Sequence, residues 1–567
     1  MNLTKLSLTR VLVLVAAGAA APAQAQIPSA ERKPDVSNKA LIRTQTPDRK
    51  KKPTEAGAAK QYTIEQFMAT TRLGGASFSA DEKSILFHSN KTGIFNVYAM
   101  PVAGGEAKQL TNSTKESTYG VSYFPADARF LYRYDKGGNE NEHLYLRELD
   151  GSERDLTPGD KTKAQFYTWS QDRKSFFFGT NTRDPKFFDI FEMSIADLKP
   201  VLIYKDETGY QIGAISNDKK FIAFGKPGNS TNDADVYLYN TETKEMKNIT
   251  AHTGDVNNSP ETFDPDSKHL YFLSDEGSEF KYVARYDLAS GQRDVAEKAK
   301  WDVIAMSFSR TGKYRIVTTN EDARTVTKIV EQATNRSDVL GAGEVDDVRI
   351  SDSENLMACY QGGSKSPADL FVRDFASRKF VRLTKSLNPE INPDDLAEGR
   401  VVRFKSFDGM EIPAILYQPR GATAQNKVPA IVRVHGGPGG QARMPYIASV
   451  QFLVNHGYTV LDVNNRGSSG YGKTFFKADD QKHGREPLWD CVEAKKYLQT
   501  LDYVDGKKIG IMGGSYGGYM VLAALAFKPE EFNAGVDIFG VSNWVRTLQS
   551  IPPYWEAERK SLYAEIG

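Results

Sequence analysis

The sequence predicts a multidomain protein in which a seven-bladed β-propeller precedes an α/β domain with a doubly wound, mainly parallel sheet. Two patterns carry this prediction. A unit of short strands recurs seven times at intervals of 42 to 48 residues, and from Val401 onward apolar strands alternate with helical segments. Repeats of this length with several strands each are typical of propeller blades, and alternating strands and helices are typical of a parallel sheet.

Each repeat unit has a small or polar start, a turn rich in Asp, Ser, Pro and Gly, and then an apolar strand. The units begin at Ser77, Ser122, Thr168, Ala214, Thr262, Ser307 and Arg349. One blade cannot bury both of its faces alone, so blades stack around an axis, and we predict a propeller over residues 62–395. Four turn aspartates are interpreted as turn-forming residues rather than metal ligands: Asp81, Asp172, Asp218 and Asp266.

Bulk composition favours an ordinary globular protein. The chain has 567 residues, 26% of them charged, and a formal net charge of +1. This balance gives no reason to expect a nucleic acid as the partner, and the length exceeds what one hydrophobic core accommodates. The two cysteines, Cys359 and Cys491, fall in different predicted domains, so we expect free buried thiols instead of a disulfide.

The first 25 residues have the pattern of a secretory signal peptide. Two basic residues precede a short apolar stretch, and Ala23-Gln24-Ala25 offers a small-x-small cleavage site. We therefore expect cleavage after Ala25, a flexible polar leader over residues 26–61, and a periplasmic or secreted protein. No other stretch is long and apolar enough to cross a bilayer, so no membrane span is expected after cleavage. An uncut membrane anchor is the alternative interpretation.

The second domain is predicted over residues 396–567, because prolines and asparagines at residues 388–393 indicate a domain junction. A hairpin turn is expected at Asp408-Gly409. Four strands are predicted at residues 428–434, 458–463, 508–512 and 534–539. Three helices are predicted at residues 442–455, 487–500 and 516–527. Helices between successive strands favour a mainly parallel sheet.

One motif in this domain predicts a nucleophile. Gly513-Gly514-Ser515-Tyr516-Gly517 fits G-x-S-x-G between a predicted strand and a predicted helix, which is the context of a nucleophile elbow. The turn lifts the Ser515 hydroxyl above the strand ends and directs the N–H groups of the following helix at the reacting centre. We therefore interpret Ser515 as a nucleophile and the domain as an α/β-hydrolase fold. A glycine-rich turn with an incidental serine is the alternative.

A second motif, HGGPGG at residues 435–440, follows the strand at residues 428–434. Acyl transfer needs N–H donors aimed at the developing oxyanion. The backbone N–H of Tyr516 is one predicted donor, and an N–H in the loop that contains Gly436 and Gly437 is the other. His435 itself is interpreted as a structural loop residue and not as the catalytic base.

Three motifs in sequence order carry a resemblance to a known family. They are HGGP at residues 435–438, NRGS with GYG at residues 465–472, and GGSYGGY at residues 513–519. Together with the preceding propeller they resemble the prolyl oligopeptidase family of serine peptidases, in particular its acylaminoacyl-peptidase and bacterial dipeptidyl-peptidase branch. From about Tyr62 onward, the resemblance implies hydrolysis of short peptides through an acyl-enzyme on Ser515, with the propeller gating access.

The resemblance also implies roles for further residues. Tyr516 would border the pocket for the residue before the scissile bond, and Val541 and Trp544 match positions that wall this pocket in relatives. Ordinary core packing explains Trp544 equally well. Residues 139–142 (NENE) could bind a peptide N-terminus, although we favour a solvated propeller loop as their explanation. Neither a metal nor a cofactor is implied, and the oligomeric state stays open.

The expected base is absent from its usual place. Hydrolases of this fold have the order Ser, Asp or Glu, then His, yet all seven histidines precede Ser515. A serine hydroxyl needs an adjacent base, so we expect the 567-residue chain to be inactive. We attribute the missing base to an incomplete C-terminus, because such a sheet needs further strands and helices, on the order of 50–90 residues at typical element lengths.

A natural pseudoenzyme is the alternative explanation of the missing base. Two further functions also stay open at this point. One is a carboxylesterase, since the same elbow serves ester hydrolysis. The other is a non-catalytic propeller binding protein with an inert hydrolase-like domain.

Overall fold

A computed structural model describes residues 60–341 and 343–567. The predicted signal peptide and nearly all of the predicted leader lie outside the described residues. The first element is helix α1 (Ile64–Met68), which begins at Thr63 because the Thr63 hydroxyl accepts from the Gln66 N–H while the Gln66 side chain accepts from the Thr63 N–H. Among the residues that the structure describes, no helix is both long and apolar enough to cross a membrane.

Seven four-stranded antiparallel sheets follow one another in the described residues and confirm the predicted propeller. The strands of the first four blades are Leu73–Phe78, Ser84–Ser89, Asn96–Pro101 and Lys108–Gln109 (β1–β4), Tyr119–Tyr123, Phe130–Tyr134, His143–Arg147 and Glu153–Asp155 (β5–β8), Ala164–Trp169, Ser175–Asp184, Phe187–Ser194 and Pro200–Tyr204 (β9–β12), and Gln211–Ile215, Phe221–Pro227, Ala234–Asn240 and Met246–Asn248 (β13–β16).

The remaining three blades have the same layout, with strands paired in sequence order. Their strands are Asn258–Phe263, His269–Ser274, Tyr282–Asp287 and Arg293–Glu297 (β17–β20), Asp302–Phe308, Tyr314–Glu321, Arg324–Glu331 and Arg336–Val339 (β21–β24), and Glu344–Ile350, Leu356–Gly363, Ser366–Asp374 and Phe380–Arg382 (β25–β28). Each blade therefore consists of consecutive strands.

The ring is closed by side-chain packing between the first and the last blade. Ile85 and Phe87 of β2 share one buried cluster with Ala358 of β26 and Leu370 of β27. The Tyr360 hydroxyl adds a hydrogen bond of 2.6 Å to the carbonyl of Gly75. Apolar burial thus joins the two ends of the repeat array, where no strand is shared between blades.

The turn aspartates behave as predicted in three of the four repeats. The Asp81 side chain accepts from the Lys83 N–H. The side chains of Asp172 and Asp218 likewise accept from the backbone N–H of the residue two positions later. In the fifth blade Asp266 instead pairs with Lys268. Asp264 takes over the turn there by accepting from the backbone N–H groups of Lys268 and His269.

The second domain is built on a six-stranded sheet within the described residues. Its strands are Arg400–Lys405 (β29), Glu411–Tyr417 (β30), Val428–Val434 (β31), Thr459–Val463 (β32), Val504–Gly514 (β33) and Gly535–Ile538 (β34). The order is β29-β30-β32-β31-β33-β34. The last four strands of this order run parallel and the first two pair antiparallel, so the predicted hairpin at Asp408-Gly409 and the mainly parallel sheet are both present.

Helices cover both faces of this sheet. They are Ala448–Asn455 (α2), Lys473–Phe476 (α3), Glu486–Thr500 (α4), Tyr516–Phe527 (α5), Trp544–Gln549 (α6) and Arg559–Ile566 (α7), with 3₁₀ turns at Pro393–Asp395, Lys477–Asp479 and Pro553–Trp555. The main core lies between the sheet, α4 and α5, and it includes Val432, Cys491 and Met520. Both Cys359 and Cys491 are buried free thiols, as predicted.

The predicted helix at residues 442–455 begins six residues later than expected. The Asn464 side chain bonds to both the N–H and the carbonyl of Ala442, at 2.7 Å and 3.1 Å. Pro445 then disfavours helical backbone at the residue before it. The helix ends as predicted near Gly457, whose φ of 86° suits glycine after a helix end.

The two domains meet through the chain entry and the chain junction. Tyr62 and Phe67 are buried together with Ile391 and Leu396 of the junction, and Phe452 of α2 packs against them. The Tyr62 N–H donates to the Asn455 side chain at 2.9 Å. The segment before the propeller is therefore anchored on the second domain.

Candidate active site

Ser515 lies at the sharp turn between β33 and α5, where the G-x-S-x-G motif predicted it. Its φ of 56° and ψ of −119° lie outside the regions that ordinary residues prefer. The backbone is held in place because the Ser515 N–H donates to the Ile538 carbonyl at 3.0 Å. The residue is exposed. A strained turn therefore presents the serine hydroxyl at the strand ends, as a nucleophile elbow requires.

The two outer glycines of the motif are required by close backbone contacts. A Cβ on Gly517 would lie 2.2 Å from the Val434 carbonyl oxygen, and a Cβ on Gly513 would lie 2.4 Å from the Gly517 carbonyl oxygen. Gly514 differs, since a Cβ on this residue would lie 3.5 Å from its nearest neighbour, the Ile538 carbonyl oxygen. The turn therefore needs glycine at residues 513 and 517 but has room for a side chain at residue 514.

Two loops bring backbone N–H donors towards Ser515. The first N–H groups of α5, beginning with Tyr516, have no partner inside the helix. The HGGPGG loop packs beside them, since a Cβ on Gly436 would lie 3.5 Å from the Ser515 Cβ. Gly437 follows with a φ of 142°, which an L side chain rarely adopts. The geometry is compatible with an oxyanion site made by Tyr516 and the Gly436–Gly437 loop.

Neither of the two histidines next to the elbow serves as its base. Within residues 60–341 and 343–567, no histidine hydrogen-bonds to the Ser515 hydroxyl. His435 is buried, its Nε2 lies 2.7 Å from Ser468 Oγ, and its Nδ1 lies 2.7 Å from the Gly436 carbonyl. Burial lowers the pKa of His435. His435 therefore positions the HGGPGG loop against the loop that contains Ser468.

An aromatic cluster lies beside the elbow. The ring of Trp544 lies 6.3 Å from that of Tyr516, 5.3 Å from that of Tyr519 and 6.1 Å from that of His483. The structure thus brings together two of the three residues predicted to line the pocket. The third, Val541, is half-buried in the loop that follows β34, three residues before Trp544.

His483 and Tyr519 belong to this cluster, although the sequence places His483 only in a polar loop. His483 Nδ1 lies 2.9 Å from the Tyr516 hydroxyl, and the His483 side chain is only 3% exposed. The contact joins residues 33 positions apart, which explains why no local sequence pattern indicates it. Burial lowers the pKa of His483 to about 4 and raises that of Tyr516.

Two buried carboxyl groups lie behind this cluster. Asp479 and Glu565 are 1% and 6% exposed, and together with His483 they offer ligand atoms within 4.8 Å of one another. Burial is the main cause that raises the pKa of Asp479 to about 9 and that of Glu565 to about 8, and nearby carboxylates add to it. No sequence motif had indicated this group.

The NRGS motif connects the elements that surround the elbow. Arg466 bonds to Asp408 in the β29–β30 turn and to Asp490 in α4, at 2.8 Å and 2.9 Å. The hydroxyl of Ser468 donates to the Asn465 carbonyl at 2.6 Å, next to His435. The motif therefore joins the hairpin, α4 and the HGGPGG loop into one framework.

The loop at residues 139–142 stands apart from the elbow in sequence but reaches the second domain. Glu140 is exposed, and its carboxylate contributes, after burial, to a raised pKa of Tyr554. Glu142 instead forms an ion pair with Arg133. The propeller loop therefore faces the 3₁₀ turn that follows α6.

Comparison with known families gives two matches that together cover both domains. A sequence model described as the prolyl oligopeptidase family matches residues 445–564. A second, described as the N-terminal β-propeller domain of prolyl oligopeptidase, matches residues 112–380. The first match contains Ser515 and α5, and the second contains most of the blades.

Curated relatives match most of the chain. Dipeptidyl aminopeptidase BIII of Pseudoxanthomonas mexicana is 30% identical over 507 residues, which are 86% of this chain and 73% of that protein. Dipeptidyl peptidase family member 6 of Caenorhabditis elegans is 24% identical over 554 residues, which are 88% of this chain and 73% of that protein.

A solved structure shows the same fold. A puromycin-hydrolysing peptidase of Mycobacterium tuberculosis superimposes with a TM-score of 0.75 at 16% identity, and the match covers 91% of this chain and 84% of that one.

Proposed function

Because the chain belongs to the prolyl oligopeptidase family of serine peptidases, we propose that it hydrolyses short peptides through an acyl-enzyme formed on Ser515. The observation that carries this proposal is the exposed serine with a φ of 56° between β33 and α5. The names of the two curated relatives, a dipeptidyl aminopeptidase and a dipeptidyl peptidase, support peptides as the substrate class.

In the proposed reaction the Ser515 hydroxyl oxygen attacks the carbonyl carbon of the scissile peptide bond. The negative charge that develops on the carbonyl oxygen is stabilised by the N–H groups of Tyr516 and the Gly436–Gly437 loop. Collapse of this intermediate expels the amine product and leaves an ester on Ser515, which water then hydrolyses. The side chain before the scissile bond lies against Tyr516, Trp544 and Val541.

A base must take the Ser515 proton, and the described residues place none beside it. The histidine rings nearest in the fold contact Ser468 and Tyr516 instead. We therefore expect the 567-residue chain to show neither peptide turnover nor labelling by a serine-directed phosphonate, because a serine hydroxyl reacts slowly without a base. Rapid labelling of Ser515 in this chain would contradict the expectation.

Contacts between the propeller and the loops that follow β31 and β32 support restricted access to Ser515. Asn320 donates to the Gln441 side chain at 2.9 Å, next to the HGGPGG loop, and the Trp301 ring lies 6.3 Å from that of Tyr471. A cavity of about 670 Å³ lies between the first strands of the last three blades and Arg443 of the second domain. Its lining residues do not include Ser515 or Tyr516, and a cavity of this size would accommodate a short peptide on its way to the elbow.

The far end of the propeller axis is bridged by polar contacts. Arg173 of the third blade pairs with Asp352 of the seventh, and the Gln171 side chain donates to the Arg310 carbonyl of the sixth blade at 3.1 Å. These contacts cross the ring between blades that are not neighbours. We therefore propose that peptides enter between the two domains and not along the propeller axis.

Glu140 supports a preference for peptides with a free amino terminus. Its exposed carboxylate lies on the propeller face towards Tyr554, where it could pair with a terminal ammonium group. The neighbouring Glu142 carboxylate is already paired with Arg133. Replacing Glu140 by Gln should raise KM for peptides with a free amino terminus and leave KM for acetylated peptides unchanged.

The proposed function is tested with the protein expressed from its own gene. We expect it to release a chromophore from peptide amides of two to four residues, and Ser515→Ala should abolish release while circular dichroism stays unchanged. Mass spectrometry after phosphonate treatment should find the label on Ser515. Turnover of simple esters without peptide amides would instead identify an esterase, and retained activity in Ser515→Ala would refute the nucleophile.

We also propose that the chain is exported, on the strength of its N-terminal sequence pattern. Expression in a Gram-negative host should place the protein in the periplasmic fraction, with Gln26 as the first residue of the mature chain. A cytoplasmic protein that keeps Met1 would contradict this proposal.

A further inference from the structure

Three ligand-type side chains converge beside the proposed substrate pocket without a role in the reaction. Asp479 ends the 3₁₀ turn at Lys477–Asp479, His483 follows in the next loop, and Glu565 comes from α7. One ligand atom from each lies within 4.8 Å of the other two. The group therefore joins two segments that are about 80 residues apart in sequence.

Two atoms of this group are buried and have no hydrogen-bond partner. They are Asp479 Oδ2 and His483 Nε2, and the side chains that carry them are 2% and 3% exposed. Within the described residues, no Lys or Arg pairs with the Asp479 carboxylate, and its nearest basic group is His483 Nδ1 at 3.8 Å. A buried carboxyl oxygen without a partner costs roughly 1–3 kcal/mol or more, and a bound cation would offset this cost.

The surroundings leave space for this carboxylate and orient the histidine ring. A Cβ on Gly467 would lie 1.9 Å from Asp479 Oδ2. Any residue other than glycine at position 467 would therefore clash with the Asp479 carboxyl group. His483 Nδ1 lies 2.9 Å from the Tyr516 hydroxyl and 3.8 Å from Asp479 Oδ2, and Nε2 has no hydrogen bond. Histidine ligands of metal ions commonly have the second ring nitrogen hydrogen-bonded in this way.

We propose that Asp479, His483 and Glu565 bind one divalent transition-metal ion, for which Zn²⁺ is the probe. One imidazole nitrogen and two carboxylate oxygens suit Zn²⁺, which takes such ligands at about 2.0–2.2 Å in a four-coordinate site with water as a possible fourth ligand. In such a tetrahedral site two ligands of one ion are about 3.3–3.6 Å apart. Where two ligand atoms of the observed group are as far apart as 4.8 Å, they would have to approach by about 1.4 Å to provide this geometry. Ca²⁺ fits less well, since it prefers six to eight oxygen ligands.

The bound ion would fix the segment that contains the pocket residues. His483 contacts Tyr516, the first residue of α5, and its ring lies 6.1 Å from that of Trp544. Glu565 in turn anchors α7. The ion would therefore hold the pocket wall and the start of α5 together, as a structural site that takes no part in bond breaking.

Metal binding is tested on the protein expressed from its own gene, stripped with chelator and dialysed against Zn²⁺. We expect one Zn²⁺ per chain by elemental analysis, a visible Co²⁺ absorption band upon substitution, and a higher unfolding temperature with Zn²⁺ than with Ca²⁺. Asp479→Asn and Glu565→Gln should each weaken Zn²⁺ binding at least tenfold and remove the rise in unfolding temperature.

The matched control is Asp480→Asn, which removes the neighbouring carboxylate that is not part of the ligand group. It should bind Zn²⁺ as tightly as the unchanged protein. Circular dichroism of each variant without metal establishes that it is folded. The proposal is overturned if the unchanged protein retains no Zn²⁺, or if Asp479→Asn and Glu565→Gln bind it as tightly as Asp480→Asn does.

Discussion

At the scale of single residues, the backbone around Ser515 depends on what glycine lacks. Gly517 approaches the carbonyl of Val434 and Gly513 approaches that of Gly517 more closely than any Cβ allows. Gly514, between them, meets nothing closer than 3.5 Å. The motif in the sequence and the contacts in the structure therefore agree position by position, and the elbow is a local feature that the sequence alone predicts.

Gly517→Ala should prevent the elbow from forming. A Cβ 2.2 Å from a backbone oxygen forces β31 and α5 apart, and we expect a loss of several kcal/mol, on the order of 3 kcal/mol or more, with most of the protein insoluble. Gly514→Ala is the control and should remain soluble, with an unfolding temperature within a few degrees of that of the unchanged protein. Equal solubility of both variants would show that the close contact is not limiting.

A second residue-scale prediction concerns His88 in the first blade. Burial lowers its pKa to about 4, and the nearby Arg133 guanidinium acts in the same direction. Its ring lies against those of Phe95 and Tyr119. His88 is protonated near pH 6.5 in the unfolded chain but only near pH 4 in the native protein. The free energy of unfolding therefore has its full value above pH 6.5 and decreases by up to about 3 kcal/mol as the pH decreases to 4.

The prediction is checked with urea unfolding midpoints at several pH values. His88→Gln should flatten the decrease between pH 6.5 and pH 4, whatever its effect at neutral pH. His456→Gln at the end of α2 serves as the control and should leave the slope as it is. An unchanged slope in His88→Gln would show that another group causes the acid sensitivity.

At the scale of elements, buried Arg466 connects the β29–β30 turn to α4. Its side chain is 4% exposed and bonds to Asp490, which is fully buried, and to the partly exposed Asp408. The Asp490 carboxylate also accepts from the Ser406 hydroxyl at 2.5 Å. The hairpin and the helix thus share one network of buried charges. Arg466 of the NRGS motif therefore stabilises the fold independently of substrate binding.

Arg466→Met should destabilise the second domain by about 3–5 kcal/mol, because it leaves the Asp490 charge buried without a cationic partner. The measurement is chemical unfolding followed by tryptophan fluorescence. Arg403→Met is the matched control, since Arg403 is 35% exposed and pairs with Asp322 at the surface; it should cost less than about 1 kcal/mol. A similar loss in both variants would contradict a special role for burial.

At the scale of the whole molecule, the part of the domain interface around α3 is polar. Lys473 in α3 pairs with Asp275 at 3.0 Å and Lys477 pairs with Asp255, while the Thr474 N–H and hydroxyl both donate to Glu279. These contacts attach α3 and the turn after it to the fifth blade and its neighbour. Such an interface separates more easily than an apolar one.

Salt should therefore loosen the two domains. Raising the ionic strength from about 0.1 M to 1 M shortens the screening length from about 10 Å to about 3 Å, and we expect the radius of gyration in small-angle scattering to increase. A double variant, Asp275→Asn with Glu279→Gln, should reach the same increase at lower salt. Glu242→Gln, which removes a surface ion pair within the fourth blade, is the control; a radius that stays constant at 1 M salt would refute the prediction.

Much of this molecule follows from patterns that are local in sequence. The blade period, the turn aspartates, the hairpin at Asp408-Gly409 and the elbow at Ser515 each depend on residues within one turn or one strand–helix unit. Short-range sterics and hydrogen bonds determine such units, so the sequence predicts them without knowledge of the fold. The helix start at Ala448 and the role of Asp264 differ from prediction because a distant asparagine and a competing carboxylate decide them.

The composition of the pocket and of the buried acidic group depended on the folded chain. His483, Asp479 and Glu565 meet Tyr516 only because α7 packs against the loop before α4, and Glu140 faces Tyr554 only because two domains are apposed. Contacts across tens to hundreds of residues result from burial of apolar surface over the whole protein, and burial has no fixed spacing along a chain. Sequence patterns therefore predicted the nucleophile, and tertiary packing determined which side chains surround it.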